Sequence, residues 1–154
     1  MSREPIATWF IALAVVRLGR RFLVVRERKH GQLWYLPAGR AEPGETFAEA
    51  AVRETLEESG VNITVEGWLR VEHTPAPQGA RVRAFVVARP TDDGLPKRTP
   101  DEHSLEARWV TLEELDALPL RGDEVREVFR YVADGGAVLP LSSLTFEGAP
   151  WRVP

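Results

Sequence analysis

Apolar and β-branched residues dominate from Thr8 to Leu18, Gly19-Arg20 interrupts them, and Arg21 to Arg28 carries Phe22-Leu-Val-Val25. Two apolar runs of strand length around a glycine turn predict a β-hairpin. Leu33 to Leu36 predicts a further short extended piece, stopped by Pro37, which disfavours helix in the residue before it. Pro43-Gly44 marks a turn, and Thr46-Phe-Ala-Glu49 has the form of a capping box, with Thr46 as cap and Glu49 reaching back. The helix that follows turns Ala48, Ala51, Val52, Thr55 and Leu56 inward and stops at Gly60. Val61 to Val71 and Arg81 to Ala88 predict strands, joined by a loop holding Pro75, Pro77 and Gly79. A polar loop from Arg89 to Pro100 leads to a short strand at Arg108-Trp-Val110 and a helix start at Thr111-Leu-Glu-Glu114. The apolar spacing of Val125, Val128, Phe129 and Val132 predicts a helix over Asp123 to Val132. Met1 to Pro5 are expected to be loose, and the proline-punctuated tail from Gly135 to Pro154 receives no assignment.

Strands and helices in this order predict an α/β fold, a mixed sheet with a few helices. With no internal repeat or linker, residues 1–154 are expected to form a single domain. The absence of cysteine removes disulfides and thiolate metal sites and suits a reducing compartment. No secretory or membrane-spanning segment is expected, because Ile11 to Val16 is short and Arg17 follows it, so the reading is cytoplasmic. A net charge of −3 offers no basic field for a nucleic-acid polymer. Nearly all cations are arginine, with Lys29 and Lys97 the only lysines. Arginine is the better fork for phosphate oxygens.

The candidate chemistry lies on the first helix. Glu54, Glu57 and Glu58 are spaced i, i+3, i+4 and so share one face. Like charges so placed repel unless a cation sits among them, and hard carboxylate oxygens suit Mg²⁺ or Mn²⁺ acting with substrate phosphates. Three glutamates alone are more often a solvated helix face. Their setting changes that judgement.

Gly39, Glu45, Arg53, Glu54, Glu57, Glu58, Gly60 and Val61 fit the spacing G-x5-E-x7-R-E-U-x-E-E-x-G-U, where U is bulky and apolar. In this pattern over residues 39–61 the chain resembles the Nudix (MutT-like) hydrolases. Thr55 departs from it at the first U position, keeping β-branched bulk. Trp34 to Arg40, Glu42 to Thr46, Phe85 to Pro90, Ser104-Leu105 with Trp109, Leu118 to Leu120 and Val138 to Pro140 resemble the branch acting on oxidised guanine nucleoside diphosphates.

The resemblance implies the Nudix fold, a curved mixed sheet between helices (α/β/α). It also implies hydrolysis of a nucleoside diphosphate-type substrate, 8-oxo-dGDP or 8-oxo-GDP included, to a nucleoside monophosphate and phosphate. By the same resemblance Glu54, Glu57 and Glu58 would hold Mg²⁺ or Mn²⁺, with the backbone of Ala38 alongside. Gly39, Glu45, Arg53 and Gly60 would shape the loop and helix. Glu57 or Glu58 could take the proton from water, or a carboxylate of the loop before the late strand, where Asp101, Glu102 and Glu106 are available and Glu102 is the candidate. His103 stands where close relatives have glutamate.

Trp34, Tyr35 and Arg40 are substrate candidates, set against an ordinary core or rim role for the two aromatics. Nucleoside triphosphates, dinucleoside polyphosphates and ADP-ribose remain alternative substrates, and a nucleotide-binding regulatory domain remains the non-enzymatic alternative. A homodimer is compatible with the sequence.

Overall fold

The computed structural model describes residues 3–152; the outermost of the residues expected to be loose, Met1 and Ser2, lie outside the described residues, as do Val153 and Pro154. The chain forms β1 (Thr8–Leu18), β2 (Arg21–Glu27), β3 (Trp34–Tyr35), β4 (Ala38–Arg40), α1 (Phe47–Ser59), β5 (Ile63–Ala76), β6 (Gly79–Pro90), β7 (Ser104–Val110), α2 (Leu112–Leu115) and α3 (Glu124–Ala133). Short 3-10 turns occupy His30–Gln32 and Leu141–Ser143.

The strands make one mixed sheet in the order β3-β2-β1-β6-β5, with β4 added to β1 and β7 to β2. The expected β1–β2 hairpin is present, but the two strands pair only at Arg17↔Phe22 and Leu18↔Arg21 before they separate. Into the gap comes β4, which pairs with β1 from Ile11↔Arg40 to Leu13↔Ala38. On its other edge β1 runs parallel to β6 from Thr8↔Ala80 to Val16↔Ala88. The short β4, which the sequence pattern does not announce, is what ties the Gly39 segment to the centre of the sheet.

Alternation along β1 divides the core. Leu13 and Val15 face a layer with Phe22, Phe85, Leu115, Val125 and Phe129, whereas Ala12, Ala14 and Val16 face Ala50, Ala51, Ala84 and Trp68. Helix α1 thus covers one face and α2 with α3 the other, the α/β/α arrangement expected of the resemblance. The inward side of α1 differs in detail: Ala50, Ala51, Thr55 and Ser59 are buried, while Leu56 is 43% exposed. The helix lies so close to the alanine-lined sheet that a stripe of small residues, rotated from the expected one, makes the contact.

Two further expectations are corrected. The broad loop around Pro75 to Gly79 is instead a long hairpin, with β5 and β6 paired out to Ala76↔Gly79. Strand β5 lies at the sheet edge, where a proline removes no ladder donor that a neighbour needs. At the start of α1 the Thr46 hydroxyl accepts from the Glu49 N–H (3.1 Å). The Glu49 carboxylate, however, accepts from that hydroxyl (3.0 Å) and does not reach the backbone of Thr46. The complete box occurs at α2, between Thr111 and Glu114. The unassigned tail is stitched to β5: Trp68 and Leu139 exchange both backbone hydrogen bonds (2.9 and 2.8 Å), and the Trp68 indole donates to the Leu141 carbonyl.

Candidate active site

The loop after β4 turns at Gly44 (φ 81°), where the Glu45 N–H donates to the Glu42 carbonyl (3.0 Å) and the Glu45 carboxylate accepts from the Glu42 N–H (3.0 Å). Arg53, one and a half turns into α1, grips this loop. Its Nε and Nη2 donate to the two oxygens of Glu45 (2.7 and 2.9 Å), and Nη2 also reaches the Arg40 carbonyl (3.0 Å). Such a forked pair is directional as well as strong. The Arg53 hydrogen bonds hold the Glu45 carboxyl below its ordinary range, and in return Glu45 raises the guanidinium's affinity for its proton.

The same Arg53 donates through Nη1 to Glu54 (3.0 Å) and Glu57 (3.2 Å). Glu54 presses its carboxylate against Gly39: a Cβ at that position would lie 2.1 Å from the carboxylate. Only glycine admits this approach. Glu58 turns toward β4, where its Oε2 accepts a long hydrogen bond from the Ala38 N–H (3.4 Å). Burial, and then the neighbouring Glu54 charge, raise the Glu58 carboxyl well above its usual range; burial raises that of Glu54.

Two desolvated carboxyls side by side, in a cradle that a methyl group would fill, are a donor set suited to a hard divalent cation. Among the described residues, no three His, Cys, Asp or Glu side chains stand already grouped as a metal cage. Arg53 is interposed between Glu54 and Glu57, and Glu58 reaches the other side of Glu54.

The segment 97–104 is laced to the end of α1. Lys97 donates from Nζ to the Glu57 carbonyl (3.3 Å) and from its backbone to Ser59 (2.8 Å), and Ser104 Oγ donates to the Glu58 carbonyl (2.6 Å). Asp101 Oδ1 gathers Lys97 Nζ (2.6 Å) and the backbone N–H groups of His103 (2.8 Å) and Ser104 (3.2 Å), and Lys97 above all lowers its carboxyl to about 2. This lacing brings His103 to Glu57, with Nδ1 3.8 Å from Oε2. Glu102 points away; its side chain is 85% exposed and meets only the far nitrogen of His103 (3.5 Å). Glu106 pairs with Arg108 (2.5 Å). No carboxylate of this loop therefore joins the helix cluster, and the imidazole stands where one was sought.

Beside Ala38, Gly39 and Arg40 opens a cavity of about 590 Å³, on the Leu13 face of the sheet. Tyr35 and Arg40 line it, as two of the three substrate candidates. Trp34 does not. It is 4% exposed, buried in the same core layer as Tyr35, with the Arg108 guanidinium 4.5 Å above its ring. The cavity also takes Trp9, Arg81, Arg83 and Arg121, which the sequence reading did not single out. A signal existed in the alternation Arg81-Val-Arg83, which places two cations on one face of a strand that is otherwise apolar.

Comparison with known proteins agrees with this architecture. The family model described as NUDIX domain matches residues 9–132. A curated protein from Escherichia coli, the phosphatase NudJ, is 36% identical over 123 residues, covering 79% of this chain and 80% of its own length. Among solved structures, a NUDIX hydrolase from Nitrosomonas europaea superposes with a TM-score of 0.74 at 23% identity, covering 93% of this chain and 99% of that one. A MutT protein from Methanosarcina mazei gives 0.64 at 21% identity, covering 88% and 100%.

Proposed function

This chain belongs to the NUDIX family of hydrolases, enzymes of phosphoric anhydride bonds, and we propose that its substrates are nucleoside diphosphates, oxidised guanine forms among them. The products are a nucleoside monophosphate and phosphate. The observation that carries the reading is the meeting of Glu54 with Gly39 and of Glu58 with Ala38, two residues that also line an arginine-bearing cavity. The guanine preference leans on the resemblance around Trp34 to Arg40 and in the C-terminal half of the chain. Residues 1–154 would form one such domain, with its box at 39–61, working in the cytoplasm.

Glu54, Glu57 and Glu58, with the backbone of Ala38, would hold Mg²⁺ or Mn²⁺. When bound, the cation supplies charge neutralisation for phosphate oxygens and acidifies water. The chain's own groups do the rest. Arg53 keeps α1 in register with the loop through Glu45. Arg40 and Arg81 form no ion pair among the described residues, so their guanidinium groups are available to phosphate oxygens. Glu57 or Glu58 takes the proton of the attacking water, and His103 stands within reach of Glu57 to steer its carboxylate.

The test is product analysis over GDP, 8-oxo-dGDP, dGTP, ADP-ribose and diadenosine polyphosphates, each with Mg²⁺, Mn²⁺ or EDTA. Divalent-dependent conversion of a diphosphate to monophosphate and phosphate, faster than for the other members, is the expected result. Preferred cleavage of a triphosphate, ADP-ribose or a dinucleotide would overturn the substrate class. Equal turnover in EDTA would remove the cation from the mechanism.

A further inference from the structure

The arginines of the cavity are not equivalent. Arg83 is clamped from both sides: Nε donates to Glu72 (2.8 Å), while Nη2 and Nη1 donate to the two oxygens of Glu124 (2.7 and 3.3 Å). Arg121 lies 4.8 Å above the Tyr35 ring and pairs with Glu27 (3.0 Å). Arg70 takes the second oxygen of Glu72. Arg83 and Arg121 are thus both committed to glutamates, and this wall of the cavity offers a phosphate no uncompensated cation. Arg40, next to Gly39, and Arg81, two residues farther out along β6 than Arg83, are without a carboxylate partner among the described residues.

Glu124 is the hub of the neutral wall. It opens α3, where a carboxylate is favoured by the helix dipole. It accepts the Tyr35 hydroxyl as well as both arms of Arg83. Both of its oxygens are therefore committed, which suits it to hold other groups in place and not to touch a ligand itself. Of the five N–H donors of Arg83, two remain unspent, and the Tyr35 oxygen keeps its acceptor lone pairs. Donors beside an acceptor, on an uncharged wall, match the edge of a neutral heterocycle in which a carbonyl adjoins a ring N–H.

From this division of charge we infer that Glu124 is a positioning residue for base selection, fixing Arg83 and Tyr35 as the wall that reads the nucleobase edge while the diphosphate lies toward Arg40 and the α1 glutamates. The inference rests on the nucleotide hydrolase reading above and gives the substrate its orientation. It gives α3, remote from the carboxylate helix, a part in selectivity. Removal of Glu124 frees the Arg83 guanidinium to swing and the Tyr35 hydroxyl to seek water, so the base loses its partners while the phosphate end is untouched.

The experiment compares wild type with Glu124→Ala, Glu124→Gln and Tyr35→Phe. Two substrates are used: GDP, and 2-deoxyribose 5-diphosphate, which has no base. For Glu124→Ala, KM for GDP should rise about tenfold, as expected for lost buried hydrogen bonds, with the change in kcat much smaller. Glu124→Gln keeps one acceptor oxygen and should recover part of the loss, and Tyr35→Phe should show a smaller rise in KM. None should alter KM for the base-free diphosphate. Equal shifts with both substrates, or a fall in kcat at constant KM, would overturn the role. Should Glu124→Ala fail to fold, an unchanged KM in both milder variants would overturn it equally.

Calorimetric Kd values for GDP are measured on the same proteins. If wild type hydrolyses neither compound, the hydrolase reading fails, and the ratio of those Kd values still decides for or against Glu124.

Discussion

On one face of the sheet Ala12, Ala14, Ala84 and Ala88 meet Ala50 and Ala51 of α1; on the other, Leu13, Val15 and Phe22 meet Val125, Phe129 and Val132 of α3. The alanine-to-alanine contacts have no rotamers to rearrange, so the backbone of α1 is held close and its outer side, with Glu54, Glu57 and Glu58, has a defined place over Gly39. The second face is filled by large side chains, among them Phe22 and Phe129 stacked at 4.6 Å. Beyond Leu13 that filling gives way to the cavity. The first face therefore governs geometry, and the second buries the bulky side chains packed under α3. A hole under α3 should cost stability, whereas a displacement of α1 should cost rate.

Phe129→Ala tests the bulky side. It should lose about 3–5 kcal/mol of unfolding free energy while kcat per folded molecule is retained; denaturant titration with single-turnover kinetics reads both. A lost kcat would show that α3 steers the chemistry as well.

On the α1 side, Glu58→Gln should lower kcat by about 10²–10³. In EDTA its Tm should instead rise at neutral pH, since burial and Glu54 disfavour the charge that the substitution removes. A variant that is both slower and less stable would contradict this account of Glu58.

Ala51→Leu sharpens the contrast, because Ala51 is buried between helix and sheet. Overpacking should cost about 1–3 kcal/mol of stability, yet kcat should fall in fully folded protein as α1 is pushed from Gly39. Unchanged kcat would mean that α1 is not positioned by the alanine contact.

Thr55→Val probes the same helix gently. The Thr55 hydroxyl is buried without a hydrogen-bond partner among the described residues, so its replacement should add on the order of 1 kcal/mol with activity preserved. A loss of stability would reveal a partner for the hydroxyl.

The smallest effect belongs to the lacing of the 97–104 loop. The Asp101 carboxyl, lowered to about 2 chiefly by Lys97, starts in the unfolded chain from about 3.9. Its contribution is complete above about pH 4 and is lost as pH falls toward 2. Because Asp101 is largely exposed, Asp101→Asn should lower Tm only slightly at pH 7 and reduce the steepness of the acid-induced fall in Tm. An unaltered acid profile would exclude the Lys97–Asp101 pair as its source.

The box from Gly39 to Val61 was legible because its parts are neighbours in sequence. Turn, cap, helix and C-terminal stop at Gly60 (φ 77°) each have a local chemical sign. The exposure of Leu56 was not, because helical spacing defines a stripe but the approach of the sheet decides which stripe is buried. Trp34 and Tyr35 were read together, yet only Tyr35 lines the cavity, because which of two neighbouring core aromatics borders open space depends on the packing around them. Glu102 and His103 likewise exchanged places: a loop's register against a helix depends on contacts such as Lys97 with Glu57 and Ser104 with Glu58, which link residues some forty positions apart.

The sequence by itself determined the alternation of strand and helix, the turn at Gly44, the shared face of three glutamates and, through their spacing, the family. Those features depend on backbone stereochemistry within one or two turns of chain. Only the tertiary structure decided that β4 enters the gap between β1 and β2, that Glu54 rests on Gly39, and that Glu124 binds both Arg83 and Tyr35 where these two line a cavity. The last three come from α3, β6 and β3, and their meeting depends on sheet order and on burial, neither of which a local pattern contains.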